Sequence, residues 1–139
     1  MVDQNCAYCV EGDLVAKFGI KICELETSKV YLFKEQSHPG RCIVAHKKHV
    51  GDMNELTAEE RAAYFEDVAR VARAIMAAFH PDKGNYGAYG DTGHHLHFHL
   101  CPKYKDEFEW GGVFLMNPDK KYLTDAEYAE MIEKIKANM

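Results

Sequence analysis

The chain has 139 residues, 47% hydrophobic and 28% charged, with only ten Gly and four Pro, a composition that suits a compact globular domain and excludes collagen-like, low-complexity and disordered chains. Its 22 acidic residues against 17 basic ones give a net charge of −5, so no general attraction to nucleic acid or anionic membranes is expected. An anionic ligand must be held by local chemistry, and eight His in so short a chain ask for a chemical reason.

The opening, MVDQNCAYCVEGD, is polar and lacks the basic and apolar regions of a secretory signal. No apolar run approaches the ~20 residues of a membrane span. Five Cys, an odd number, argue against a disulfide framework, and the chain reads as reduced and cytoplasmic. Cys6 and Cys9, spaced C-x-x-C, form a thiol pair open to a metal or to redox chemistry. Cys23, Cys42 and Cys101 lie in apolar stretches and read as small buried hydrophobes.

Segments 20–25 and 29–33 are β-compatible and separated by a short polar turn, as in a hairpin. A third strand, 41–45, follows the turn His38-Pro39-Gly40. Thr57 and Glu60 have capping-box spacing and open a helix whose apolar stripe, Phe65, Val68, Ala72, Ile75, Met76 and Phe79, runs until Pro81. Segment 85–88 begins a strand interrupted at 90–93, and 95–101 is the last strand. Thr124 and Glu127 repeat the capping box before Tyr128, Met131, Ile132 and Ile135. The fold class is α+β: one domain over 1–139, with a largely antiparallel meander of about five strands, a long central helix and a C-terminal helix.

Segment 94–101, HHLHFHLC, carries the chemistry. In an extended chain His95, His97, His99 and Cys101 share one face and Leu96, Phe98 and Leu100 the other. Imidazoles two residues apart stand about 6.5 Å apart, close enough to surround one phosphoryl group or metal ion. The alternatives are solvent-facing His on an amphipathic strand, a metal site of the H-x-H type, and a phosphoryl-transfer site in which His97 attacks phosphorus while the adjacent turn donates backbone amides.

The pattern His95-Leu-His97-Phe-His99-Leu-Cys101, the segment from Pro39-Gly40 to Lys47-Lys48-His49, and Leu56-Thr57-Ala-Glu-Glu60 together resemble the histidine-triad superfamily of nucleotidyl hydrolases and transferases. The resemblance spans roughly residues 6 to 104. It implies that His97 is the nucleophile of a covalent nucleotidyl-histidine intermediate and that His99 hydrogen-bonds near the reacting phosphate. It further implies that Asn85 contacts the departing group and that Thr92, in the turn with Asp91 and Gly93, contacts phosphate. Cys6, Cys9, His49 and His95 match a structural zinc site, and a homodimer through the central helix and an edge strand is implied as well.

Four positions depart from the family pattern. Lys34 stands where many members carry an Asp for the ribose hydroxyls, Arg41 replaces a His after Pro-Gly, His46 replaces a Pro, and Asp91 puts negative charge beside the phosphate pocket. Lys34 and Arg41 thereby become candidate substrate contacts, with Lys103 and Lys105 as further cations able to offset Asp91. The aromatic segment 108–114, with the only Trp, suits either a cover over a base or a plug at a dimer interface. The expected activity is on phosphoramidates, dinucleoside polyphosphates or related nucleoside phosphates. The rival readings are a nucleotide-binding regulatory module with little turnover and metal-dependent hydrolysis on the three His.

Overall fold

The structure, a computed structural model, describes residues 3–139; the first two residues of the polar opening and of the expected 1–139 domain lie outside the described residues. Strand β2 (Ser28–Phe33) turns Val30 and Leu32 to one face and Tyr31 and Phe33 to the other, and all four are buried. A strand covered on both faces requires two layers of packing, and a separate apolar cluster lies on each side of the sheet.

The sheet contains β1 (Gly19–Glu24), β2, β3 (Cys42–His46), β4 (Lys83–Gly87) and β5 (His97–Lys103), all antiparallel, in the order β1-β2-β3-β5-β4. The α+β class and the five antiparallel strands are as expected. The meander is broken, because β5 inserts between β3 and β4. Strand β5 is buried almost throughout and gains a hydrogen-bonded neighbour on each side, whereas β4, with two Gly and an exposed Tyr86, takes the edge.

Helix α3 (Ala58–Phe79) starts as its capping box requires: Thr57 Oγ1 accepts from Glu60 N at 3.1 Å, and the Glu60 carboxylate accepts from Thr57 N at 3.4 Å. It ends on His80 in the left-handed region, one residue before Pro81. Its buried face, including Tyr64, Val68, Val71 and Ile75, packs with α4 (Asp125–Lys136) over one side of the sheet. Tyr64 donates its hydroxyl to Val44 O at 2.7 Å. Asp67 reaches the β1–β2 turn, where its Oδ2 accepts from Thr27 N, Thr27 Oγ1 and Ser28 Oγ at 2.7–2.9 Å.

The opposite face is covered by α1 (Ala7–Val10), α2 (Gly12–Ala16) and the loop 108–117. These two helices have no cap signature in the sequence. They are separated by Glu11, which, like Gly12 at the start of α2, has positive φ, and each is held by an inward side chain, Tyr8 and Val15. The turn before β3 is fixed by buried Gln36, which donates to Phe33 O and Arg41 O and accepts from Gly40 N. Gly40 sits at φ 94°, and a Cβ there would come within 2.6 Å of the Phe79 ring, so the close approach needs Gly.

Since three donors converge on one buried carboxylate oxygen, Asp67→Ala should lower unfolding stability by about 2–3 kcal/mol. Urea denaturation measures this, and a loss below about 0.5 kcal/mol would mean the turn does not depend on Asp67.

Candidate active site

β5 begins at His97, two residues later than the sequence pattern predicts. His95 sits at a bend, and Leu96 pairs outside the ladder, accepting from His46 N at 3.0 Å and donating to Val50 O at 2.7 Å. His97 and His99 lie opposite Ala45 and Ile43 in register, so both rings stand on the face that carries Tyr8 and Phe33. Leu96 and Leu100 go to the α3 side, as the two-residue period predicts.

The ring of His95 is fixed at both nitrogens. Nε2 donates to His46 O at 2.5 Å, which leaves the Nδ1 lone pair free. That Nδ1 lies 3.3 Å from Cys6 Sγ, 3.6 Å from Cys9 Sγ and 3.1 Å from His49 Nδ1, and Cys9 Sγ is 3.3 Å from His49 Nδ1. All four donor atoms fall within 4.8 Å of one another. A tetrahedral zinc shell with ordinary Zn–S and Zn–N bonds has edges of about 3.3–3.8 Å, so the donor set and spacing fit a closed Cys2His2 site. The carbonyl that orients His95 is the kind of outer partner that metal-binding imidazoles use.

His97 donates Nδ1–H to His95 O at 2.7 Å, so its unprotonated nitrogen is Nε2. Burial lowers its pKa below the ordinary value of 6.5, against the opposing pull of that hydrogen bond, and the ring is neutral at pH 7. His99 Nδ1 lies 3.1 Å from Arg41 Nη2. Guanidinium only donates, so His99 accepts there and carries its proton on Nε2. Burial first, and the charge of Arg41 second, push the His99 pKa down to about 3. The two rings stand 5.3 Å apart between centroids, and both line a cavity of about 800 Å³, within the size range of small-molecule sites.

The structure brings Asp91, Thr92 and Gly93 to the same cavity. The turn passes close to the candidate nucleophile: a Cβ on Gly93 would lie 3.4 Å from His97 Cε1. Other candidates lie elsewhere. Lys34 turns its ammonium to Ala16 O, and neighbouring Phe33 lines the cavity in its place. Asn85 pairs in register with Cys101, whereas Gly87 pairs with His99; two strand residues, about 7 Å, thus separate Asn85 from the triad level, and it does not line the cavity. Arg41 is fully buried behind His99. Lys103 is buried and holds the loop by donating to Glu109 O and Gly112 O, while Lys105 is exposed.

Sequence reasoning missed the apolar walls, among them Tyr8, Phe18, Phe33, Ile43 and Phe114. Phe33 and Ile43 were legible as the alternation partners of a His-bearing face. Tyr8 is not, because only tertiary folding brings its ring within 5.1 Å of His97. In the aromatic segment Val113 and Phe114 line the cavity, and Trp110 does not.

The HIT domain family model matches residues 19–106, more than half of the chain. The chain belongs to the HIT family. Among its relatives are "Protein hit" of Bacillus subtilis, 29% identical over 123 residues (84% of this chain, 83% of that protein), and an adenosine 5'-monophosphoramidase of Schizosaccharomyces pombe, 28% identical over 116 residues (77% and 80%). The fold is also that of a histidine triad protein from Sinorhizobium meliloti, with TM-score 0.84 at 21% identity and 92% and 95% coverage. A Zn-bound histidine triad family protein from Mycobacterium smegmatis aligns with TM-score 0.67 at 23% identity over 96% and 91% of the two chains. In this HIT protein the rings of His95, His97 and His99 each have a tautomer set by a named partner.

The low pKa of His99 has a consequence for stability. In the unfolded chain this ring takes up a proton near pH 6.5, whereas the folded protein refuses it until about pH 3; the stabilisation is complete above 6.5 and lost as pH falls toward 3. The urea midpoint should fall between pH 7 and pH 5, and His99→Gln should flatten that slope. An unchanged slope in the variant would assign the effect to other groups.

Proposed function

We propose that the protein is a nucleotidyl hydrolase or transferase that cleaves a nucleoside phosphoramidate through a covalent nucleotidyl-histidine intermediate on His97. The observation that carries this reading is the tautomer of His97: Nδ1–H is committed to the His95 carbonyl, and Nε2 is left as a neutral nucleophile within a cavity beside a turn of backbone amides. A bond forms between Nε2 and phosphorus as the P–N bond breaks, and the nitrogen, protonated from solvent, departs as the amine with that electron pair. Water then adds to phosphorus, the imidazole leaves as neutral His97, and the proton from water returns to solvent. His99 Nε2–H and the amides of Thr92 and Gly93 hydrogen-bond the phosphoryl oxygens as charge builds up.

The phosphoramidase name of the fission yeast relative supports this class. The lining supports it too: among the described residues no Lys or Arg lines the cavity, whereas Asp3 and Asp91 do. Such a site suits one phosphoryl charge better than the several charges of a dinucleoside polyphosphate. The aromatic walls offer faces for a nucleobase. A regulatory module needs only the cavity, whereas the oriented, unprotonated nitrogen of His97 favours turnover.

Cys6, Cys9, His49 and His95 are the residues that would hold zinc. A closed shell of this type supplies structure, tying α1 and Tyr8 to the strand that carries His97. A second copy of the chain is the proposed partner. An exposed apolar groove on α3 and the edge strand β4, with Phe65 39%, Met76 44% and Tyr86 54% exposed, supports that assembly.

Two outcomes follow. Purified protein should hydrolyse adenosine phosphoramidate, and His97→Ala should lower kcat by at least about 10³-fold with an unchanged circular dichroism spectrum; activity surviving that change would overturn the mechanism. Elemental analysis should find about one zinc per chain, and Cys9→Ser should lose the metal and lower the thermal midpoint. A metal-free wild-type protein insensitive to chelators would overturn the zinc assignment.

A further inference from the structure

Arg41 is the largest fully buried side chain among the described residues, and no carboxylate forms an ion pair with it. Burying a guanidinium without an anion is costly, so its placement calls for a reason. Its Cζ lies over two aromatic rings, 4.1 Å from the centroid of Phe33 and 5.0 Å from that of Phe114. Nη1 donates to Leu115 O at 3.2 Å and Nη2 to Met116 O at 3.0 Å, while Nε has no partner. These contacts hold the loop. Nη2 also lies 3.5 Å from Met116 Sδ and, beyond the loop, 3.1 Å from His99 Nδ1.

That last contact is not needed to hold a loop. We propose that Arg41 is a positioning residue that fixes His99 as its Nε2–H tautomer toward the cavity and sets a positive charge directly behind that donor. The inference rests on the proposed function, in which His99 Nε2–H meets a phosphoryl oxygen. A group that can only donate leaves His99 Nδ1 one role, that of acceptor. Without it, the proton can move to Nδ1, and Nε2 would present a lone pair to the phosphoryl oxygen. The arrangement also supplies cationic character to a site where no Lys or Arg among the described residues lines the cavity, through a neutral ring that the charge polarises. Lys34 and Lys103 offer no substitute, being bonded to the carbonyls of Ala16 and of Glu109 and Gly112.

The test compares wild type, Arg41→Met, Arg41→Lys and His99→Ala. In substrate-free protein, long-range ¹H–¹⁵N correlation spectra should show a single Nε2–H tautomer for His99. Arg41→Met should shift that signal toward the Nδ1–H form, and Arg41→Lys, still charged and donor-only, should keep it. With adenosine phosphoramidate, Arg41→Met should lower kcat about ten- to a hundredfold with KM within about twofold, and Arg41→Lys should recover most of the loss. The double variant Arg41→Met/His99→Ala should be no slower than His99→Ala alone. If Arg41→Met does not fold, Arg41→Leu takes its place, because it too is neutral and offers His99 no donor. An unchanged His99 tautomer in the neutral variants, or losses that multiply in the double variant, would overturn the proposal. The spectra need no turnover, so an inactive wild-type protein would overturn the proposed function and leave the tautomer result to be judged separately.

Discussion

His95, through its carbonyl and ring, joins the cluster of Cys and His side chains to His97. Its Nε2–H is donated to the backbone of His46, its Nδ1 faces two Cys and a His, and its carbonyl receives the Nδ1 proton of His97. One residue thus ties the N-terminal helix to the sheet and determines which nitrogen of the next histidine is free. A displacement of His95 would alter both the donor cluster and the orientation of the His97 ring. This dependence explains why the strand ladder starts at His97: the preceding residues are committed to His46 and Val50.

Around that point the protein keeps its imidazoles neutral and its cations out of the cavity. His97 and His99 are buried and held below their ordinary pKa. Of the nearby cations, Arg41 lies behind His99 and Lys103 beneath the loop. Positive charge therefore acts through hydrogen bonds and not by direct exposure. The sheet makes this possible because β2, β3 and β5 are buried on both faces, one by helices and the other by the N-terminal helices and the loop 108–117.

The sequence carried the elements that follow from local rules. Both capping boxes start helices where the Thr and Glu spacing requires, and the two-residue alternation of the last strand puts its His on one face and Leu96 and Leu100 on the other. The short helices α1 and α2 were not legible, because they have neither caps nor length and exist through Tyr8 and Val15 packing on a distant strand. Lys34 and Arg41 show the same limit in the site. Their charge suggested substrate contact, yet Lys34 is bonded to a backbone carbonyl and Arg41 is fully buried over two aromatic rings.

Sequence by itself thus determined the common face of the alternating histidines, the cysteine pair and the α+β class, since each depends on spacing over a few residues or on a motif. Tertiary structure alone decided the strand order, the tautomer of each histidine, the aromatic walls and the inward burial of Arg41. Those depend on partners dozens of residues away: 58 separate Arg41 from His99 and 89 separate Cys6 from His95. No local periodicity specifies which buried donor will meet which imidazole nitrogen. That is fixed only when the two layers close over the sheet.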